Sequence, residues 1–352
     1  MKKNGSLAFV SVLVAAAAAA PALAHAHPGS AAQACTIATA GVGQPANLVC
    51  KDVASGETTQ SVHVAPTVSA AGGVGGNLTR AGDRVLVTNQ AGGATIFREH
   101  DGRLTDPVAL DTGGEGSLSG YLDDRGAYVL TGTRLLFFPH GSRTASSARP
   151  LLAADGSAAQ VTLAGGRAYV SEKSRSLEAF RLAANGNLAG AATAVAGVPA
   201  GTIVGIAGSR GVAVAPIAHL ATNFNQSAIS VVGGAAQLQL VPTKEVAACW
   251  AKSQGDEVCV SNPGSMTVSC GRVGDDALAS YTSAAASPTG DAIFDLDLRE
   301  DLVAIQATAA GAPMLLVFSR DDDDSDFLSA VDAFPVGTAA ATGALLLPGM
   351  HH

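Results

Sequence analysis

The sequence predicts an all-β fold, a β-propeller of four-stranded antiparallel blades, on three observations. One strand-hairpin segment recurs six times at a spacing of 41 to 46 residues. Turn residues follow three of the segments at matched positions, at His100–Leu104, Ala184–Leu188 and Gly274–Leu278. The chain is also turn-rich and weakly charged, with 41 glycines and 14% charged residues, a composition that suits many short strands.

The chain opens on Lys2 and Lys3, runs apolar from Leu7 to Ala20, and reaches the small-residue stretch Pro21–Ala24. That is the pattern of a secretory signal peptide over residues 1–24, with a mature chain from His25. The apolar run is short for a membrane span, and nothing as hydrophobic follows it. The mature chain is then expected to be periplasmic or secreted, with no membrane span.

The repeats are Arg84–Asn89, Gly126–Thr131, Arg167–Glu172, Gly211–Pro216, Glu257–Asn262 and Asp301–Gln306. A period of 40 to 50 residues with β-type content marks propeller blades, whereas helical repeats need a 3.6-residue periodicity that is absent. A short strand and tight turn precede each segment, as in Val161–Gly166. A third strand follows, as in Thr95–Arg98, Leu177–Arg181 and Thr267–Cys270. Asp101-Gly102 and Asn185-Gly186 then supply the positive φ of hairpin turns, so a fourth strand returns. Residues 25–352 are read as one propeller domain.

The repeats leave strand-forming residues at both ends, with candidates at Gln60–Val64 and Ala344–Leu347. Pooling them gives a further blade that closes the ring, which matters because an open seam presents unpaired strand edges to water. Seven blades is the expected count, with six as the alternative.

The stretch Glu257–Leu278 resembles the blade motif of the lactonase-type seven-bladed propellers, relatives of 6-phosphogluconolactonase and 3-carboxymuconate cyclase that are also grouped as YVTN-repeat proteins. Weaker echoes lie at Val85–Leu104 and Ala168–Leu188. The resemblance covers most of residues 81–335 and is carried by scaffold positions: a Tyr/Val-rich strand, a Ser-Asn or Thr-Asn turn, a Thr-Val strand and a Gly/Asp turn before Leu. It implies a central funnel lined by acidic, Arg and His side chains, where a small lactone is hydrolysed. No catalytic role transfers position by position.

Net charge is -8, and removing the leader, which holds two lysines and no acid, makes it two units more negative. A nucleic-acid partner is thereby disfavoured. A small-molecule ligand or another exported protein is the expected partner. No phosphate loop, G-x-S-x-G elbow or H-E-x-x-H occurs.

In a propeller the innermost strand of each blade, here the one before each repeat, lines the channel. Its polar candidates are Ser117, Ser119, Tyr121, Gln160, Thr162, Thr202, Cys249, Asp295 and Asp297. Strand alternation puts Asp295 and Asp297 on one face and Phe294, Leu296 and Leu298 on the other. Two such carboxylates can share a proton, bind a cation, or act as base and acid in lactone opening, and equally can be a solvated rim. The other inner strands offer them no obvious basic partner, and Arg299 and Glu300 read as turn residues.

His25 and His27 begin the mature chain and His351 and His352 end it. A His25-Ala26-His27 terminus offers an amine, two amide nitrogens and a third-position imidazole, a square-planar set for a divalent metal such as Cu(II) or Ni(II). Cleavage after Ala26 would destroy it. Ring closure would bring Met350, His351 and His352 near the same point. The alternative function is therefore a non-catalytic binding or assembly platform that holds copper at its termini.

The run Asp321–Asp326 falls at an outer turn and lacks the spacing of a calcium loop. Asn77-Leu78-Thr79 is a glycosylation sequon. Five cysteines in an exported chain favour disulfides with one thiol left over. Cys35 and Cys50 are the expected pair. Hairpin registers place Cys259 diagonal to both Cys249 and Cys270, so its partner stays open, and Cys249 reads as a small buried hydrophobe.

Overall fold

A computed structural model describes residues 32–39, 46–64, 78–90, 92–174, 176–198, 202–218, 228–232, 237–241, 247–274, 282–285, 292–320, 328–338 and 340–350. Among the described residues the regular structure is all strand, in seven four-stranded antiparallel sheets. Six are sequential meanders: Leu78–Leu110, Ser117–Pro150, Ala158–Ala194, Ala207–Val241, Trp250–Ala285 and Ala292–Pro335. We number these blades two to seven. Blade one is composite, in the order Ala340–Pro348, Ala32–Thr39, Ala46–Asp52 and Thr58–Val64. Both expected end strands, Gln60–Val64 and Ala344–Leu347, fall within it, as its outermost and innermost members.

Each innermost strand packs against the innermost strand of the next blade, and Ala340–Pro348 packs against Leu78–Ala81, which closes the ring. The repeated segments are the second strands of blades two to seven. Arg84–Asn89 and Gly126–Thr131 are buried at every position, because both faces of the sheet are covered by neighbouring blades. This explains why the segments read as continuous apolar runs rather than as an apolar-polar alternation.

The core is a set of wedges between blades. Leu48 and Ile37 of blade one meet Val85, Val87 and Phe97 of blade two, and Cys259 and Val268 of blade six meet Ile293 and Leu296 of blade seven. Each fully buried Leu, Ile or Phe stabilises by about 1.5–3 kcal/mol. Tyr128 stacks on Phe137 at 4.7 Å in blade three, and its hydroxyl donates to the Gly186 carbonyl of blade four at 2.8 Å.

The turns serve the same stitching. Asp101 and Gly102 adopt φ of 49° and 78°, as an Asp-Gly hairpin turn requires. The Gly102 carbonyl accepts from the side-chain amides of Gln33 at 2.7 Å and Gln60 at 2.6 Å. Gln33 also donates to Pro348 O at 2.9 Å. One amide thus joins blade two to both chain ends.

Two disulfides are present, Cys35–Cys50 as expected and Cys259–Cys270. The second corrects the register inferred from the turns: Cys259 and Cys270 are directly opposite on adjacent strands, as Cys35 and Cys50 are. The Asn262–Thr267 pair that closes this hairpin sets that register. Two cross-strand disulfides suit an oxidising compartment. Cys249 is the free cysteine among the described residues, partly buried, and burial pushes its thiol up to about 12, which makes it unreactive at neutral pH.

Inner strands approach closely enough to select glycine. A Cβ on Gly208 of blade five would collide with the Leu163 carbonyl oxygen of blade four and sit 3.1 Å from Thr162 Oγ1. Because the obstacle is backbone, Gly208→Ala is expected to destabilise by about 3 kcal/mol, read as a lower urea midpoint. Gly132→Ala, with open space around it, is the control and should be near neutral. Equal midpoints for the two variants would contradict the packing described.

Candidate functional site

The seven innermost strands enclose a central cavity of about 290 Å³. Every blade contributes to its wall: Leu346 from blade one, Thr79 and Arg80 from two, Gly120 to Leu122 from three, Gln160 to Thr162 from four, Ala207 from five, Ala251 to Gln254 from six, and Asp297 to Arg299 from seven.

Asp297 is the acid on the cavity wall. Its Oδ2 accepts from the Leu346 backbone N–H at 2.8 Å, tying blade seven to the closing strand. Burial pushes its carboxyl up to about 6, a rise that Asp295 reinforces and that Lys252 and the Leu346 and Leu298 amides oppose. Asp295 is 2% exposed and lies at a β-bulge between Ile293 and Leu296. Its Oδ1 accepts from the Leu296 N–H at 3.0 Å. Asp297 lines the cavity, and the charge of Asp295 acts on it.

Basic partners are present, contrary to the expectation from the inner strands. Lys252 of blade six crosses the channel to donate to the Leu78 carbonyl of blade two at 2.7 Å and interacts electrostatically with Asp297. Arg80 and Arg299 also line the cavity. Burial and then the charge of Arg299 lower the proton affinity of Arg80, while Glu99, Asp297 and Glu300 raise it. Arg299, expected in a turn, is the last residue of its strand.

Other channel candidates divide in two. Tyr121, Gln160 and Thr162 line the cavity. Gln160 fixes the wall, taking the Ile206 N–H at 3.0 Å and donating to Ala251 O at 3.4 Å. Ser117 and Ser119 are fully buried and bond between blades instead: Ser117 Oγ takes the Asn89 N–H at 3.0 Å, and Ser119 Oγ takes the Val161 N–H at 3.2 Å. Thr202 forms an isolated bridge with Ala218, and Cys249 precedes its strand.

Sequence reasoning missed Arg80, Lys252, Ser253 and Gln254 because they sit on strands of four and five residues with little internal pattern. The signal available was their place on the strand before each repeat, the one that lines the channel. His25, His27, His351, His352 and the run Asp321–Asp326 lie outside the described residues. No imidazole lines the cavity among the described residues, and no described helix is long and apolar enough to cross a membrane.

No protein-family model and no curated protein matches the chain. Solved structures do. The periplasmic gluconolactonase of Pseudomonas aeruginosa aligns with a TM-score of 0.62 at 14% identity, over 91% of this chain and 100% of that one. A 6-phosphogluconolactonase candidate from Bacteroides fragilis aligns with a TM-score of 0.56 at 13% identity, over 92% and 99%. Apo AztD from Citrobacter koseri aligns with a TM-score of 0.55 at 10% identity, over 90% and 99%. At these identities the likeness is one of fold: the chain is a β-propeller whose structural neighbours include lactonase-like propellers.

Proposed function

We propose that the protein is an exported lactonase-like hydrolase that opens a small lactone in its central cavity. The observation that carries this reading is the convergence of Asp297, Lys252, Arg80 and Arg299 on one cavity from three different blades. A platform would be expected to fill its channel with Ala, Val and Leu. Propellers host unrelated activities, so the fold of the gluconolactonase neighbour lends support only beside that convergence.

A carboxyl with a pKa of about 6 is suited to take a proton from water near neutral pH. In the proposed reaction Asp297 accepts that proton as the water oxygen bonds to the lactone carbonyl carbon. Lys252 and Arg299 stabilise the oxyanion. The ring C–O bond then breaks and Asp297 returns the proton to the ring oxygen, giving an open-chain hydroxy acid. Asp295 contributes by keeping the proton affinity of Asp297 high. The sequence pattern of residues 1–24 and the two disulfides support export, and a mature terminus at His25 in the periplasmic or secreted fraction would match it.

The test is acid release from a panel of small lactones, glucono-δ-lactone included, with and without added divalent metal. Lys252→Met is expected to lower kcat by about 100-fold to 1,000-fold. Failure of the wild type to exceed the uncatalysed rate on every lactone, or full activity in the variant, would overturn the reading.

A further inference from the structure

The cavity wall holds more polar capacity than the protein itself satisfies. Arg299 Nη1, Gln254 Oε1 and Thr79 Oγ1 are buried and have no hydrogen-bond partner among the described residues. All three residues line the central cavity. A buried polar atom left unpaired costs about 1–3 kcal/mol, so an occupant that let these side chains turn inward and pair would recover that cost. The three atoms have complementary requirements: a guanidinium donor seeks an anion, an amide oxygen seeks a hydroxyl donor, and a hydroxyl can give or take.

Charge points the same way. Arg80, Lys252 and Arg299 outnumber the one acid on the wall, Asp297. Arg80 has Glu99 at 4.0 Å, a contact that leaves most of its donors uncommitted, and its Nε donates to Gly82 O at 3.0 Å. Arg299 has an outward partner in the exposed Glu300 at 3.4 Å. Lys252 has the Leu78 carbonyl, which brings no negative charge. The side chains on the wall are thus in cationic excess, with Glu99 and Glu300 set behind the two arginines and off the wall, in a chain whose net charge is -8. A lactone is neutral, whereas the acid made by opening it is an anion carrying a new hydroxyl.

We infer that the cavity binds the open-chain polyhydroxy acid, with its carboxylate on Arg299 and Arg80 and its hydroxyls on Gln254 and Thr79, in preference to the neutral lactone or a neutral polyol. This rests on the cavity being the ligand site, and adds that the product competes with the substrate for it. An acid of this class then acts as an inhibitor whenever its concentration outside the cell rises. The bidentate fit of guanidinium to carboxylate supplies the selectivity over neutral ligands of the same shape.

Isothermal titration of the full-length mature protein at pH 7 tests this with D-gluconate, sorbitol and inorganic phosphate as probes. Gluconate is expected to bind at least tenfold more tightly than sorbitol, and to weaken as sodium chloride is raised. Arg299→Met and, separately, Arg80→Met should each weaken gluconate at least tenfold, with thermal midpoints confirming that both fold. The inference is overturned if gluconate binds no better than sorbitol, if both folded variants bind it as the wild type does, or if phosphate binds and gluconate does not. Binding of gluconate without turnover of any lactone would remove the hydrolytic reading and leave this one standing. Turnover without gluconate binding would do the reverse.

Discussion

Asp297→Asn is expected to lower kcat on any lactone the protein turns over by about 100-fold to 10,000-fold, the range for loss of a general base. Asparagine keeps an oxygen for the Leu346 N–H that Asp297 holds at 2.8 Å, so the ring should stay closed. In the wild type the rate should rise with pH through about 6, where Asp297 loses its proton. The residual rate of the variant should show no such step.

Stability carries the opposite sign. Burial raises the Asp297 pKa above its ordinary value of 3.8, so the folded state holds the proton more tightly than the unfolded chain does. Its contribution is complete below pH about 4 and is lost as pH rises to about 6, on the order of 3 kcal/mol for two pKa units. Glu172, pushed up to about 7 chiefly by burial, adds a loss of the same sign that extends to higher pH. Urea midpoints between pH 4 and 7 should therefore fall less steeply for Asp297→Asn than for the wild type. Identical pH slopes together with full activity would remove Asp297 from both roles.

Deleting residues 339–352 should have the larger structural effect. The lost strand Ala340–Pro348 pairs with Ala32–Thr39, and its Leu345, Leu346 and Leu347 are at most 1% exposed. At about 2 kcal/mol each, these leucines alone approach the 5–15 kcal/mol that holds an ordinary domain folded. The deletion also strands Asp297, which loses the Leu346 amide, and Gln33, which loses Pro348 O. Ala32–Thr39 would lose its ladder partner and Leu78–Ala81 the strand it packs against. The truncated chain is expected to lose cooperative unfolding and to aggregate. A sharp urea transition at the wild-type midpoint would show that blade one is not the clasp.

Much of the fold was legible because blade interiors repeat their physics. The second strands are covered on both faces, so each must be a short apolar run, and Asp101-Gly102 must supply the positive φ its turn needs. The composite blade followed from the cost of an open edge. The site was less legible, since it is assembled from single residues on seven strands and no local pattern joins Lys252 to Asp297. A bulge between Ile293 and Leu296 adds to this, because a strand pattern read from sequence does not reveal an irregular ladder. The Cys259–Cys270 bond stayed open for a related reason: the register had to be inferred from the turn, and a slip of two residues changes opposite neighbours into diagonal ones.

The clasp also constrains how the protein reaches its native state. Thr36 donates its hydroxyl proton to Gly343 O at 2.7 Å across 307 residues of sequence. Blades two to seven consist of neighbouring segments and can form as each is completed, but this contact has to wait until almost the whole chain has been synthesised. Non-local pairings of this kind are the slow ones. Until the two ends meet, Ala32–Thr39 and Leu78–Ala81 lack their final neighbour. The incomplete ring is therefore the species most exposed to association with other chains, and its lifetime, more than the stability of any one blade, should govern the yield of folded protein.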